Sequence, residues 1–349
     1  MKLQETLNKI KPASKEAMDR ALYHWHQIAM PLNSLGRLQD TVIRIAGMTG
    51  SEKVDLKKKA LVVMCADNGV VEEGVTQTGQ EVTLIVADNF LHKRSTASIF
   101  SKLAGVDVFP VDIGIAVDSN IINHKIAYGT KNMVREPAMT RDEAVRALEV
   151  GISMVEELKE KGYGIIATGE MGIGNTTTSS AITSVLLDVE PEKVTGRGAG
   201  LSSEGLERKI KAIKDAIALH HPDKKDAIDV LSKVGGLDIA GMAGVFLGGA
   251  ALGIPVIADG FISCVAVLCA ITIHPDVRDY VITSHKTKEP AANMLLNAID
   301  IPVFLDCDMC LGEGTGAVAI YPLLDMAMAV YNSMCTFTDI DMENYVPLS

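Results

Sequence analysis

Short apolar runs recur along the chain at long intervals, at 61–66, 106–111, 163–167, 254–258, 279–283 and 301–305, and each has the length of a strand buried on both faces. Helix-length segments lie between them. The clearest is 140–161, where Val145, Leu148, Ile152 and Val155 form one stripe, and Thr140 with Glu143 predicts a capping box at its start. Strands separated by connections of this length pair in parallel through right-handed crossovers. The pattern therefore predicts an α/β protein with a doubly wound, mostly parallel, Rossmann-like sheet.

The two ends of the chain read differently. Leu3, Leu7 and Ile10 have helical spacing, Ser14 stands as a cap three residues before Ala17, and from 317 onward Leu323, Leu324, Met326, Met328 and Val330 mark a soft apolar helix. The expected organisation is a catalytic domain over 51–316 and a smaller helical domain built from 1–50 plus 317–349. The uncharged stretch 239–258 has the length of a bilayer span. Its glycines (241, 244, 248, 249 and 253) and Pro255 instead predict a small-residue helix, a turn and a strand that ends at Asp259.

Most of the apolar runs give way to polar or glycine-rich sequence: Asp67-Asn68-Gly69, Asp112, Glu170, Asp259-Gly260, His285 and Asp306. In a parallel sheet these ends share one side, which is where ligands bind in open α/β folds. Asp and Gly are also good turn formers, so any one of them has a purely structural reading.

Composition narrows the function classes. The 349 residues carry a formal charge of −11, and no Lys/Arg run offers a groove for nucleic acid. Six scattered cysteines, in a chain that opens without a signal-peptide core, predict reduced thiols and a cytoplasmic protein. Cys307 and Cys310 form a lone CxxC without a second ligand pair, so no metal and no cofactor is expected.

Four segments carry chemistry. Residues 168–181 place Gly172 and Gly174 between a strand and a helix that opens Asn175-Thr176-Thr177-Thr178. Helix starts of this kind bind phosphate through free N–H groups, although a tight turn with a hydroxyl-rich cap has the same sequence. No Lys follows the last glycine, which excludes a Walker loop. Arg197, in a glycine loop, and Lys209, on the next helix, can supply positive charge. Glu313, flanked by Gly312, Gly314 and Gly316, is a candidate general base, and a surface-loop Glu would look alike. A long polar loop after 66 re-enters a helix near Glu81 and suits a segment that embraces a substrate.

Taken together, the segments ADNGV (66–70), GVTxxGQEVT (74–83), GEMGIGNTT (169–177), GRGAGL (196–201), ADGF (258–261), SHxxxE (284–289) and LGEGTGA (311–317) resemble the nicotinate-nucleotide:dimethylbenzimidazole phosphoribosyltransferases of cobamide synthesis. The resemblance runs from Pro31 to about Leu324. It implies transfer of 5-phosphoribose from nicotinate mononucleotide to an aromatic lower-ligand base, with inversion from β to α and release of nicotinate. It implies Glu313 as the catalytic base, and a phosphate-ribose site at Glu170, Gly172, Gly174, Asn175, Thr176, Arg197 and Lys209. The acceptor pocket it implies comprises Thr76, Gln77, Gln80, Leu84, Met171 and Leu311. Asn68 stands where many members carry His, Gln77-Thr78-Gly79 replaces an aromatic-proline pair, and Cys310 replaces a basic residue. The alternative within the resemblance is a paralogue acting on phenolic bases as one subunit of a heterodimer. A homodimer without membrane contact is expected, from the 241–253 stretch and the Met-rich C-terminal helix.

Overall fold

The computed structural model describes residues 2–345. Six strands form one parallel sheet: β1 (Lys59–Ala66), β2 (Val106–Gly114), β3 (Ile122–Asn123), β4 (Ile165–Met171), β5 (Val256–Ala258) and β6 (Val281–Thr283), in the order β3-β2-β1-β4-β5-β6. The chain first winds outward from β1 through β2 to β3, then returns to β4 and winds the other way. The strand order therefore reverses between β1 and β4. In that central pair Met64 lies opposite Glu170 and Cys65 opposite Met171.

Five of the six apolar runs are strands, which fits burial on both faces. The run 301–305 is not. Pro302 cannot donate to a ladder, and the segment instead lies against the loop after β6, where Phe304 N and Leu305 N donate to Ser284 O. β3 has two residues, too few to produce a periodic signal. The fourth strand also extends beyond its apolar run, so Glu170 belongs to the strand and not to the turn after it.

The helix Arg141–Glu160 carries the capping box expected of it, with Thr140 accepting from Glu143 N and the Glu143 carboxylate returning to Thr140 N. It packs on the helix Leu237–Leu252, which is buried from Leu237 through Ala250. Glycines permit the approach: a Cβ on Gly151 would run into Gly241 O, and one on Gly244 into Leu148 O. After Gly253 the chain turns into β5, so the uncharged stretch is a helix, a turn and a strand. Among the described residues no helix is long and apolar enough to cross a membrane.

The ends of the chain meet. Ser14 caps the helix Lys15–Gln27 through Ala17 N, Trp25 stacks 5.1 Å from Tyr331, and Phe337 N donates to Gln27 O.

Candidate active site

The carboxyl ends of β1, β4, β5 and β6 converge on the reversal point, and three segments meet there, the second being the loop 196–201 with Lys209 on the helix that follows. The first is the turn Gly172-Ile173-Gly174 after β4. Gly174 has φ +95° and starts the helix Asn175–Leu187, and no side chain caps it. Two of its buried hydroxyls turn back on their own helix, Thr178 donating to Asn175 O at 3.0 Å and Ser180 to Thr176 O at 2.9 Å.

Beside this turn lies a cavity of about 90 Å³. Thr76, Gln77, Gly172, Gly174, Asn175, Thr176, Arg197 and Lys209 all line it. Lys209 is 1% exposed, and its Nζ donates to Thr176 Oγ1 at 2.8 Å and to Gly196 O at 3.2 Å. Burial pulls its pKa down to about 8, against the charge of Glu289. A buried ammonium bonded only to neutral oxygens has capacity left for an anion. Arg197, in contrast, is exposed and spends its guanidinium on Leu201 O and Ser203 Oγ of its own loop.

A second cavity, about 50 Å³, adjoins the first, and Thr176 lines both. Glu170, Glu289, Asp259, His285, Cys310 and Leu311 border it. Glu170 is pushed up to about 8 by burial first and by the Asp238 charge second. Asn175 Nδ2 donates to Glu170 Oε2, and also to Asp238 Oδ2 at 2.9 Å. Burial raises Glu289 as well, while Lys209 opposes the shift.

The third segment is the turn 312–314. Gly312 (φ +89°), Glu313 (φ +62°) and Gly314 (φ +85°) occupy the left-handed region in succession, a conformation glycine adopts freely and Glu does not. Asp259 holds it in place: Oδ2 accepts from Gly314 N at 3.1 Å and Oδ1 from Ala317 N at 3.0 Å. Glu313 N points to Glu170 Oε1 at 3.4 Å. The Glu313 carboxylate is half-buried, with Oε2 3.5 Å from Ala97 N at the start of the helix Thr96–Ala104. Burial raises its pKa, and the Ala97 N–H pulls the other way.

The expected acceptor residues are spread over this region. Thr76 and Gln77 line the Lys209 cavity, where Gln77 Nε2 bonds Gly200 O. Leu311 lines the Glu170 cavity and is otherwise exposed. Met171 is half-exposed at the end of β4, Gln80 donates to Asn68 O at 3.3 Å, and Leu84 is partly buried on the helix Glu81–Leu91.

Three residues that sequence reasoning left without a role stand in the site. Glu289 lay within the quoted SHxxxE segment, so its signal was present. Asp259 lay within the ADGF segment and at a strand end, where sequence reasoning left it no role beyond the turn. Asp238 had no signal, because it sits at the edge of an apolar stretch.

A groove of about 890 Å³ lies between residues 52–57 and the helix Tyr321–Ser333, at the opposite end of the sheet. It is larger, but it holds none of the glycine turns or buried acids. Among the described residues no group of His, Cys, Asp and Glu is arranged to hold a metal ion.

A family model described as "Phosphoribosyltransferase" matches residues 10–341. The nicotinate-nucleotide–dimethylbenzimidazole phosphoribosyltransferase of Acetivibrio thermocellus is 47% identical over 348 residues, covering 99% of both chains. The protein of the same name from Dehalococcoides mccartyi is 44% identical over 97% of each chain. A crystal structure of that enzyme from Thermus thermophilus superposes with a TM-score of 0.88 at 35% identity, covering 95% of this chain and all of the other. With sequence and fold matched over nearly full length, the chain belongs to the nicotinate-nucleotide–dimethylbenzimidazole phosphoribosyltransferase family.

Proposed function

We propose that the protein transfers 5-phosphoribose from nicotinate mononucleotide to 5,6-dimethylbenzimidazole or a related base, giving an α-riboside 5′-phosphate and nicotinate for cobamide assembly. The observation that carries this reading is the paired cavity joined at Thr176, with a buried cation at one end and raised carboxyls at the other. A mononucleotide has the matching polarity. Its phosphate would meet Lys209, Thr176 and the helix start at Asn175. Its ribose would lie over Glu170, and Gly172 and Gly174 would let the backbone approach it.

The leaving group is already a cationic pyridinium, so it departs with the C1′–N pair and needs no acid. The acceptor does need help. As one benzimidazole nitrogen attacks C1′, the other N–H gives its proton to the Glu313 carboxylate. A carboxylate raised by burial is the better base for this step. Holding the acceptor opposite the departing ring supplies rate and sets inversion. The names of the relatives support the benzimidazole acceptor over a phenolic one.

The active form is proposed to be a homodimer in the cytoplasm. The 241–253 stretch does not favour a dimer, because it is absorbed in the chain's own core. Ile85, Leu91, Ile99, Phe100 and Leu103 do favour one, as exposed apolar side chains on two consecutive helices beside the site. Light scattering at micromolar concentration checks it: a dimer is expected, and an active monomer would refute it.

The function is tested by incubating the pure protein with nicotinate mononucleotide and a panel of benzimidazoles, purines and phenols, followed by mass analysis. Equal amounts of nicotinate and a benzimidazole riboside phosphate are expected. Absence of nicotinate release with every acceptor would refute the assignment.

A further inference from the structure

Two buried oxygens beside the site have no hydrogen-bond partner, Asp238 Oδ1 and Asn68 Oδ1. They lie together. A Cβ built on Gly236 would stand 2.5 Å from the first and 2.7 Å from the second. On the opposite edge, Asp238 Oδ2 and Asn68 Nδ2 lie 2.9 and 3.3 Å from a Cβ built on Gly172. The carboxyl and the amide thus both press on the same two glycines; the next polar atom at Gly236, Thr178 Oγ1 at 3.5 Å from that Cβ, already donates to Asn175 O. Turning Asn68 over would supply a donor to Asp238 but forfeit the bond its Nδ2 donates to Ile173 O at 3.3 Å. A flip would set its oxygen against that carbonyl.

Two facing acceptors with no donor between them are costly in a buried site, and buried polar atoms are nearly always paired. A single proton on Asp238 satisfies both. We propose that Asp238 is a positioning residue that stands as the neutral acid, donating Oδ1–H to Asn68 Oδ1 while Oδ2 accepts from Asn175, and so fixes the amide that holds Glu170. The proposal rests on the reading that Glu170 and Asn175 form the ribose site.

The surroundings favour the uncharged form. Asp238 is fully buried, and the titratable groups that face it, Glu170 of β4, Asp67 at the end of β1 and Cys65 within β1, include no cation to hold its charge. Burial is the main cause that raises the Asp238 carboxyl to about 7, with the Asp67 charge adding to it. The Asn175 amide and the N–H groups of Asp238 and Ile239 favour the anion, but the backbone donors do not reach hydrogen-bond geometry on Oδ1.

Asp238→Asn tests this, because an amide copies the neutral acid: its nitrogen donates to Asn68 Oδ1 and its oxygen accepts from Asn175. The variant is expected to fold and to keep kcat/KM within about threefold of wild type at pH 6. An acid whose folded pKa is raised contributes stability below its unfolded pKa, and loses it as pH rises through the folded value. The Tm of Asp238→Asn should therefore gain several degrees on wild type between pH 5 and pH 8. Asp238→Ala, which removes both bonds, should lose at least tenfold in kcat/KM at every pH. The proposal is overturned if Asp238→Asn fails to fold or loses more than thirtyfold at pH 6. It is equally overturned if its Tm difference from wild type is flat with pH, or if Asp238→Ala is as active as wild type. The Tm comparison needs no substrate. A failure of the proposed reaction therefore appears as wild-type inactivity, while the proton on Asp238 is still decided.

Discussion

Two turns of the same sequence form build the site, Gly172-Ile173-Gly174 and Gly312-Glu313-Gly314. Each enters a helix and each leans on a buried aspartate, yet the aspartates do different work. Asp259 accepts from two backbone N–H groups of its turn, with His285 Nδ1 3.8 Å away. Asp238 packs on Gly172 but hydrogen-bonds at its turn only to the Asn175 side chain, has no facing cation, and keeps an oxygen without a donor. A carboxylate tied to backbone donors fixes the path of the chain, and here it holds three successive left-handed residues so that Glu313 can project. A carboxyl tied to a side chain adjusts the protonation and orientation of its neighbours while leaving the backbone alone.

The largest effect should follow from breaking the backbone tie. Asp259→Ala strands two buried N–H groups and removes the carboxylate beside His285, and should cost about 3–5 kcal/mol of stability. Chemical denaturation checks it, and loss of activity without loss of stability would contradict the division of roles. Next comes the side chain this turn presents. Glu313→Gln should lower kcat by on the order of a hundredfold or more with Tm nearly unchanged. The wild-type base must be ionised, so activity is present above its pKa and is lost as pH falls through it. Burial raises that pKa, so the acid limb of kcat/KM should lie above the usual carboxylate range and disappear in Glu313→Gln.

Much of this site is legible in the sequence. Glycines at 174, 312 and 314 mark the turns because they adopt left-handed backbone cheaply, Gly172 because a Cβ there would meet Ala66 O, and the apolar runs mark β1, β2, β4, β5 and β6. What the sequence hides is pairing at a distance. Asp259 and Gly314 are far apart in the chain, as are Asn175 and Asp238, and neither partner alone predicts the other. The run 301–305 misleads for a local reason, since Pro302 breaks a ladder that its apolar neighbours favour. Arg197 lines the Lys209 cavity, and its bonds to Leu201 O and Ser203 Oγ are pairings its glycine-rich surroundings gave no sign of.

A smaller effect is expected at the first turn. Lys209→Met removes a charge-assisted bond to the phosphate, about 1.5–3 kcal/mol or roughly ten- to a hundredfold in affinity. The smallest concerns the acceptor, whose expected wall residues are spread over open surface. A flat base held by burial is discriminated by only about 1–3 kcal/mol per methylene-sized group. Equimolar competition among 5,6-dimethylbenzimidazole, benzimidazole and a phenol should therefore yield more than one product. Sole use of one base would reveal a specific polar contact.

Steady-state kinetics of Lys209→Met and Glu313→Gln, measured side by side with nicotinate mononucleotide and 5,6-dimethylbenzimidazole, test most directly the division of the cleft into an anion-binding end and a proton-accepting end. Lys209→Met should raise KM for the nucleotide with kcat largely kept, and Glu313→Gln should lower kcat with that KM largely kept. The reverse pattern, or equal loss of both constants in both variants, would contradict the account.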